Sequence, residues 1–68
     1  MIELETKKEL IRRLKRLSID KYITLLIVLM LKTYDQMEGM IDWINDHQNE
    51  NPSQNRVFLA ALALVKEE

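Results

Sequence analysis

Sixty-eight residues, 8.1 kDa, with one Gly, one Pro and no Cys leave room for one small domain. They exclude a disulfide-stapled scaffold, a cysteine-ligated zinc site and thiol chemistry. The net charge of −1 gives no bulk attraction to nucleic acid or anionic lipid. Leu, Ile, Val and Phe supply 22 of the 68 residues, which argues against disorder. A chain this short nevertheless buries only about 60% of its unfolded surface, so a folded monomer is marginal.

The opening IELETKKEL lacks the apolar core and small-residue cleavage site of a secretory signal. The longest oily stretch, residues 22–31 (YITLLIVLML), falls well short of the roughly 20 residues that cross a bilayer, and Lys21 and Lys32 bound it. A soluble, cytoplasmic chain with no membrane span is expected.

Four helices follow in chain order. Over 3–16, Leu10, Ile11, Leu14 and Leu17 recur at three- and four-residue spacing as one narrow apolar stripe. Glu3 with Lys7 and Glu9 with Arg13 have the favourable acid-before-base order four residues apart. Ser18 reads as the cap of a second helix over 19–32, with Asp20 in its positive first turn and Leu17 and Tyr22 as a hydrophobic staple. An unbroken helix over 3–32 is the competing reading. The second helix is apolar on nearly every side: Ile23, Leu26, Ile27 and Met30 form one face, and Leu25, Val28, Leu29 and Leu31 occupy the others. Its β-branched content would suit a strand, but no second strand exists to pair with it.

Thr33 and Gln36 have the spacing of a capping box opening a third helix over 34–47. Met37, Met40, Ile41 and Ile44 make its buried face, with Trp43 on the edge. Gly39 costs about 1 kcal/mol there relative to Ala and marks a close approach by another helix. After the polar run Gln48-Asn49-Glu50-Asn51, a fourth helix is expected over 52–66, with Asn51 as cap and Pro52 as the first helical residue; Ser53 is the alternative cap. Residues 57–65 are an unbroken apolar run.

Little in the chain suits catalysis. His47 is the sole histidine, and the hydroxyls of Ser18, Thr33 and Ser53 have capping roles. Asp42 and Asp46 stand four apart, but His47 points about 100° away from Asp46, and zinc needs a third protein ligand. No enzyme activity, cofactor or metal is expected. Trp43 reads either as an exposed anchor for a partner or as the edge of the core, against Phe58. Charge is segregated: residues 1–17 carry +3 and residues 33–51 carry −5.

A helix that is hydrophobic all round is normally buried all round. Four short helices cannot surround two of their own number, so apolar surface should remain uncovered. The expected fold is all-α, a small array of four short helices completed by homodimerisation. The expected function is a non-catalytic protein–protein interaction or regulatory module, working as a homodimer or in complex with another protein. Its interface would come from Tyr22, Leu25, Leu26, Val28, Leu29, Leu31, Val57, Phe58, Ala61, Leu62, Leu64 and Val65. The alternative is a small DNA-binding regulator whose third and fourth helices form a helix-turn-helix. Ser53, Gln54, Asn55 and Arg56 would then read bases, and Arg12, Lys15 and Arg16 would contact phosphates. Attachment to a membrane surface has less support, because neither oily helix carries a cationic polar face of its own.

Overall fold

The computed structural model describes residues 2–66, with side chains from residue 4 onward. It is all-α, with four helices and no strand among the described residues. Helix α1 spans Ile2–Arg16, α2 Lys21–Met30, α3 Tyr34–His47 and α4 Gln54–Lys66, and a single 3-10 turn follows α3 at Gln48–Glu50. Helix α1 packs on α2 and α3, and α4 packs on the same two from the other side. The four therefore form a ring around one core, with little contact across its diagonals. The core is built from Leu10 and Leu14 of α1, Ile27 and Val28 of α2, Met37, Met40, Ile41 and Ile44 of α3, and Val57 and Ala61 of α4, with Ile19 and Leu31 from the connections. The radius of gyration, 10.7 Å, is that of a fully folded chain of this length, about 11 Å.

Helix α1 ends in a Schellman turn. The Ile19 N–H donates to the Leu14 carbonyl (3.2 Å) and the Ser18 N–H to the Lys15 carbonyl (3.0 Å), which requires Ser18 at φ 61°. Ser18 therefore closes α1 and does not cap α2, and the left-handed residue rules out an unbroken helix over 3–32. The cap of α2 is Asp20, whose carboxylate accepts from the Tyr22 N–H at 2.9 Å. Consequently α2 begins at Lys21, two residues later than the apolar pattern suggested. It also stops at Met30, because Leu31 turns to an extended conformation (φ −85°, ψ 97°) that buries its side chain in the core.

Helix α3 has the expected bounds and the expected cap. Thr33 Oγ1 accepts from the Gln36 N–H at 3.1 Å, and Gln36 Oε1 accepts in return from the Thr33 and Lys32 N–H groups. The expected face of Met37, Met40, Ile41 and Ile44 is buried. Gly39 is where α4 comes close: a Cβ there would stand 2.9 Å from Leu64 Cδ2. The start of α4 is corrected. Asn51 adopts a left-handed conformation (φ 52°) and ends the 3-10 turn, Pro52 is buried but not helical, and Ser53 Oγ accepts from the Arg56 N–H at 3.3 Å. The second reading of the cap, Ser53, is the one the chain uses.

Candidate functional site

The ring leaves one side of α2 bare. Leu25, Leu26, Leu29 and Tyr22 keep 56%, 49%, 62% and 69% of their surface exposed. Their spacing of three, four and seven residues places them on one stripe of the helix. Elsewhere among the described residues the exposed large apolar side chains are Leu4, Tyr34 and Leu59, one per helix, which is ordinary for a folded surface.

The orientation of α2 explains the stripe. Thr24, Ile27, Val28 and Leu31 turn inward, and Thr24 is 7% exposed with its Oγ1 buried and lacking a hydrogen-bond partner. A helix with apolar residues all round can bury any of its faces. This one accepts a hydroxyl into the core and leaves three leucines in water. The face formed by Ile23, Leu26, Ile27 and Met30 is thus divided: Ile27 is buried, Ile23 and Met30 are half-buried, and Leu26 is exposed.

Of the twelve apolar residues expected at an interface, Val28, Leu31, Val57 and Ala61 are buried in the chain's own core. Phe58, Leu62, Leu64 and Val65 are half-buried along α4, whose sides facing α2 and α3 are covered. Tyr22, Leu25, Leu26 and Leu29 remain as open surface.

Between the bare stripe and α1 runs a groove of about 230 Å³, lined by Ile11, Lys15, Ile19, Lys21, Thr24, Leu25 and Val28. Lys15 and Lys21 come from different helices and are both exposed. The Lys21 ammonium lies 5.8 Å from the Tyr22 ring centroid. Among the described residues neither lysine is ion-paired, because the ion pairs are Glu9 with Arg12 and Arg13 in α1, and Glu50 with Arg56. The arginines beside Glu9, above all the Arg13 side chain bonded to it, hold its carboxyl below the usual range. Toward α3 the basic residues of α1 make no ion pair among the described residues. On that side α1 presents Glu5 and Glu9, which share a hollow with Glu38 and Ile41, and one polar link is the Arg13 guanidinium donating to Asn45 Oδ1.

Trp43 is half-buried and engaged within the chain. His47 stacks on it with ring centroids 4.2 Å apart, and His47 Nδ1–H donates to the Trp43 carbonyl at 2.8 Å. The Arg56 guanidinium lies 5.9 Å from the indole centroid and donates to Glu50 at 3.0 Å. Of the residues expected to read bases, Ser53 caps α4, Gln54 accepts from the Asp20 N–H, and Arg56 is held by Glu50 and Trp43. Asn55 is exposed. Of the expected phosphate contacts, Arg12 pairs with Glu9, Lys15 lines the groove, and Arg16 is exposed.

Among the described residues no group of three or more His, Asp or Glu side chains is placed to hold a metal ion. No helix of the described residues is long and apolar enough to cross a membrane. The groove's pairing of lysines with the bare leucines was missed in the sequence, where Lys15 and Leu25 are ten positions apart on different helices. No family model, curated protein or solved structure matches the chain.

Proposed function

We propose that the chain is a non-catalytic protein–protein interaction module whose docking surface is the bare stripe of α2. The observation that carries this reading is the exposure of Tyr22, Leu25, Leu26 and Leu29 side by side on a helix whose opposite side fills the core. Covering these four half-exposed side chains would contribute on the order of 3–6 kcal/mol before association costs, comparable with the whole stability of a domain this small. Two coverings meet the requirement: a second copy, giving a twofold dimer, or a helix of another protein.

Sedimentation of the native chain and of the Leu25→Glu/Leu29→Glu variant tests the reading. Both substituted residues are exposed, so the variant should keep its helical circular dichroism. The native chain is expected to assemble, alone at a mass near twice 8.1 kDa or with an added amphipathic helix, and the variant is expected not to. A native chain that stays at monomer mass both alone and with amphipathic helices ends the proposal.

A further inference from the structure

Resting on that reading, we infer that the stripe of α2 is covered by an amphipathic helix of another protein with acidic residues flanking its apolar stripe, and not by a second copy. The charges around the stripe point this way. Lys15 and Lys21 line the groove from its two helices, and Lys32 follows the end of α2; all three are exposed. The nearest acids in the chain are Asp20, which caps α2 through the Tyr22 N–H, and Asp35, three residues after Lys32. Two copies joined α2 to α2 would bring six ammonium groups against at most four carboxylates around one apolar seam, and that net excess of like charge opposes association. Carboxylates on a partner helix reverse the sign of that contribution.

A second copy has no other element that fits: helix α1 exposes Leu4 beside Glu5, a single apolar side chain and no stripe. Helix α3 is acidic, but its one exposed large apolar side chain is Tyr34. Helix α4 exposes Leu59 without acidic neighbours. Neither carries an acidic helix with a free apolar stripe.

The groove adds a size requirement. At about 230 Å³ it lies below the roughly 300–1,000 Å³ usual for small-molecule sites, and suits one inserted leucine or phenylalanine. Interfaces anchored by one side chain in a pocket beside a charged rim follow this pattern. An anionic bilayer would satisfy the lysines but offers no protruding side chain to fill a concave groove.

The probes are two synthetic helical peptides with the same leucine stripe, one flanked by Glu and one by Lys, titrated by fluorescence anisotropy against the full chain. Sedimentation of the chain alone and flotation with phosphatidylglycerol vesicles run in parallel. The acidic peptide should bind at least about tenfold more tightly than the basic one. Lys15→Gln/Lys21→Gln should shrink that ratio, Lys15→Glu/Lys21→Glu should invert it, and Leu25→Glu should abolish binding of both. Equal affinity for the two peptides overturns the assignment of an acidic partner. If neither peptide binds and the chain alone is a dimer that Leu25→Glu dissociates, the stripe belongs to a second copy; the inference falls and the interaction reading stands. Vesicle binding without peptide binding assigns the surface to lipid, and no assembly of any kind removes both proposals.

Discussion

Leu64 of α4 lies over Gly39 of α3 so closely that a Cβ on Gly39 would be 2.9 Å from Leu64 Cδ2. The glycine thus costs α3 intrinsic helix stability and gains the close approach of α4. Because the obstructing atom is the end of a half-buried leucine, Gly39→Ala should raise stability by less than the roughly 1 kcal/mol of its helix propensity in the native chain. In a Leu64→Ala background the same substitution should gain that full amount, a coupling measurable by urea denaturation of the four chains. Equal effects in both backgrounds would show that the two residues do not meet.

Thr24 makes a second, independent prediction. Its hydroxyl is buried without a partner, and Val has nearly the same shape without the polar atom. Thr24→Val should stabilise the chain by about 1 kcal/mol. In a domain of this size that corresponds to a rise of roughly 4–8 °C in Tm, read by circular dichroism on heating. A fall in Tm would mean that the hydroxyl has a partner in solution.

How far the fold was legible depends on how local each signal is. Thr33 and Gln36 sit three residues apart and cap each other, so the start of α3 could be read from four letters. Gly39 is the chain's one glycine, and the helical pattern around it left a close approach as its best explanation. The first turn between helices failed because its deciding feature is unsigned. The left-handed residue that closes a Schellman turn is usually Gly, and here it is Ser18, a residue type that equally suits an N-cap. Substitutions separate the two roles. Ser18→Gly should stabilise by up to about 1 kcal/mol by relieving the positive φ, whereas Asp20→Ala should cost about 1 kcal/mol as a lost cap. Destabilisation by Ser18→Gly to the extent seen for Asp20→Ala would restore Ser18 as the cap.

The bare stripe was half legible. Counting apolar positions in α2 and α4 showed an excess, and of the twelve residues named for it only Tyr22, Leu25, Leu26 and Leu29 stand open. Around an all-apolar helix there is no contrast to fix the rotation, so nothing in the sequence put Thr24 on the core side or separated the exposed Leu26 from the buried Val28 and Leu31. Helix α4 is better covered than its composition suggested, because α2 and α3 flank it and Gly39 lets Leu64 settle against α3.

Glu9 gives a pH dependence with a definite sign. The bonded Arg13 and nearby Arg12 hold its folded-state pKa below the unfolded value. Its contribution to stability is therefore intact above the ordinary glutamate value of about 4.3 and disappears as the pH falls through the lowered folded value. In an NMR titration Arg13→Gln should move the Glu9 midpoint back toward the ordinary value. A midpoint that Arg13→Gln leaves in place would assign the depression to another cause.

Arg56 decides how the DNA reading fares. Its guanidinium is already engaged, on the Glu50 carboxylate at 3.0 Å and beside the Trp43 ring, while Gln54 and Ser53 hold backbone N–H groups. A base-reading side chain in this position would have to leave those partners, and α3, which would lie across the phosphates, is acidic. The native chain should therefore give no retardation of duplex DNA even at low salt, where phosphate contacts are strongest. Glu50→Gln frees one partner of Arg56 and should leave that result unchanged, while shifting the Trp43 fluorescence as the guanidinium moves. A retarded band that weakens steeply with salt and is lost in Arg56→Ala would reinstate α4 as a recognition helix.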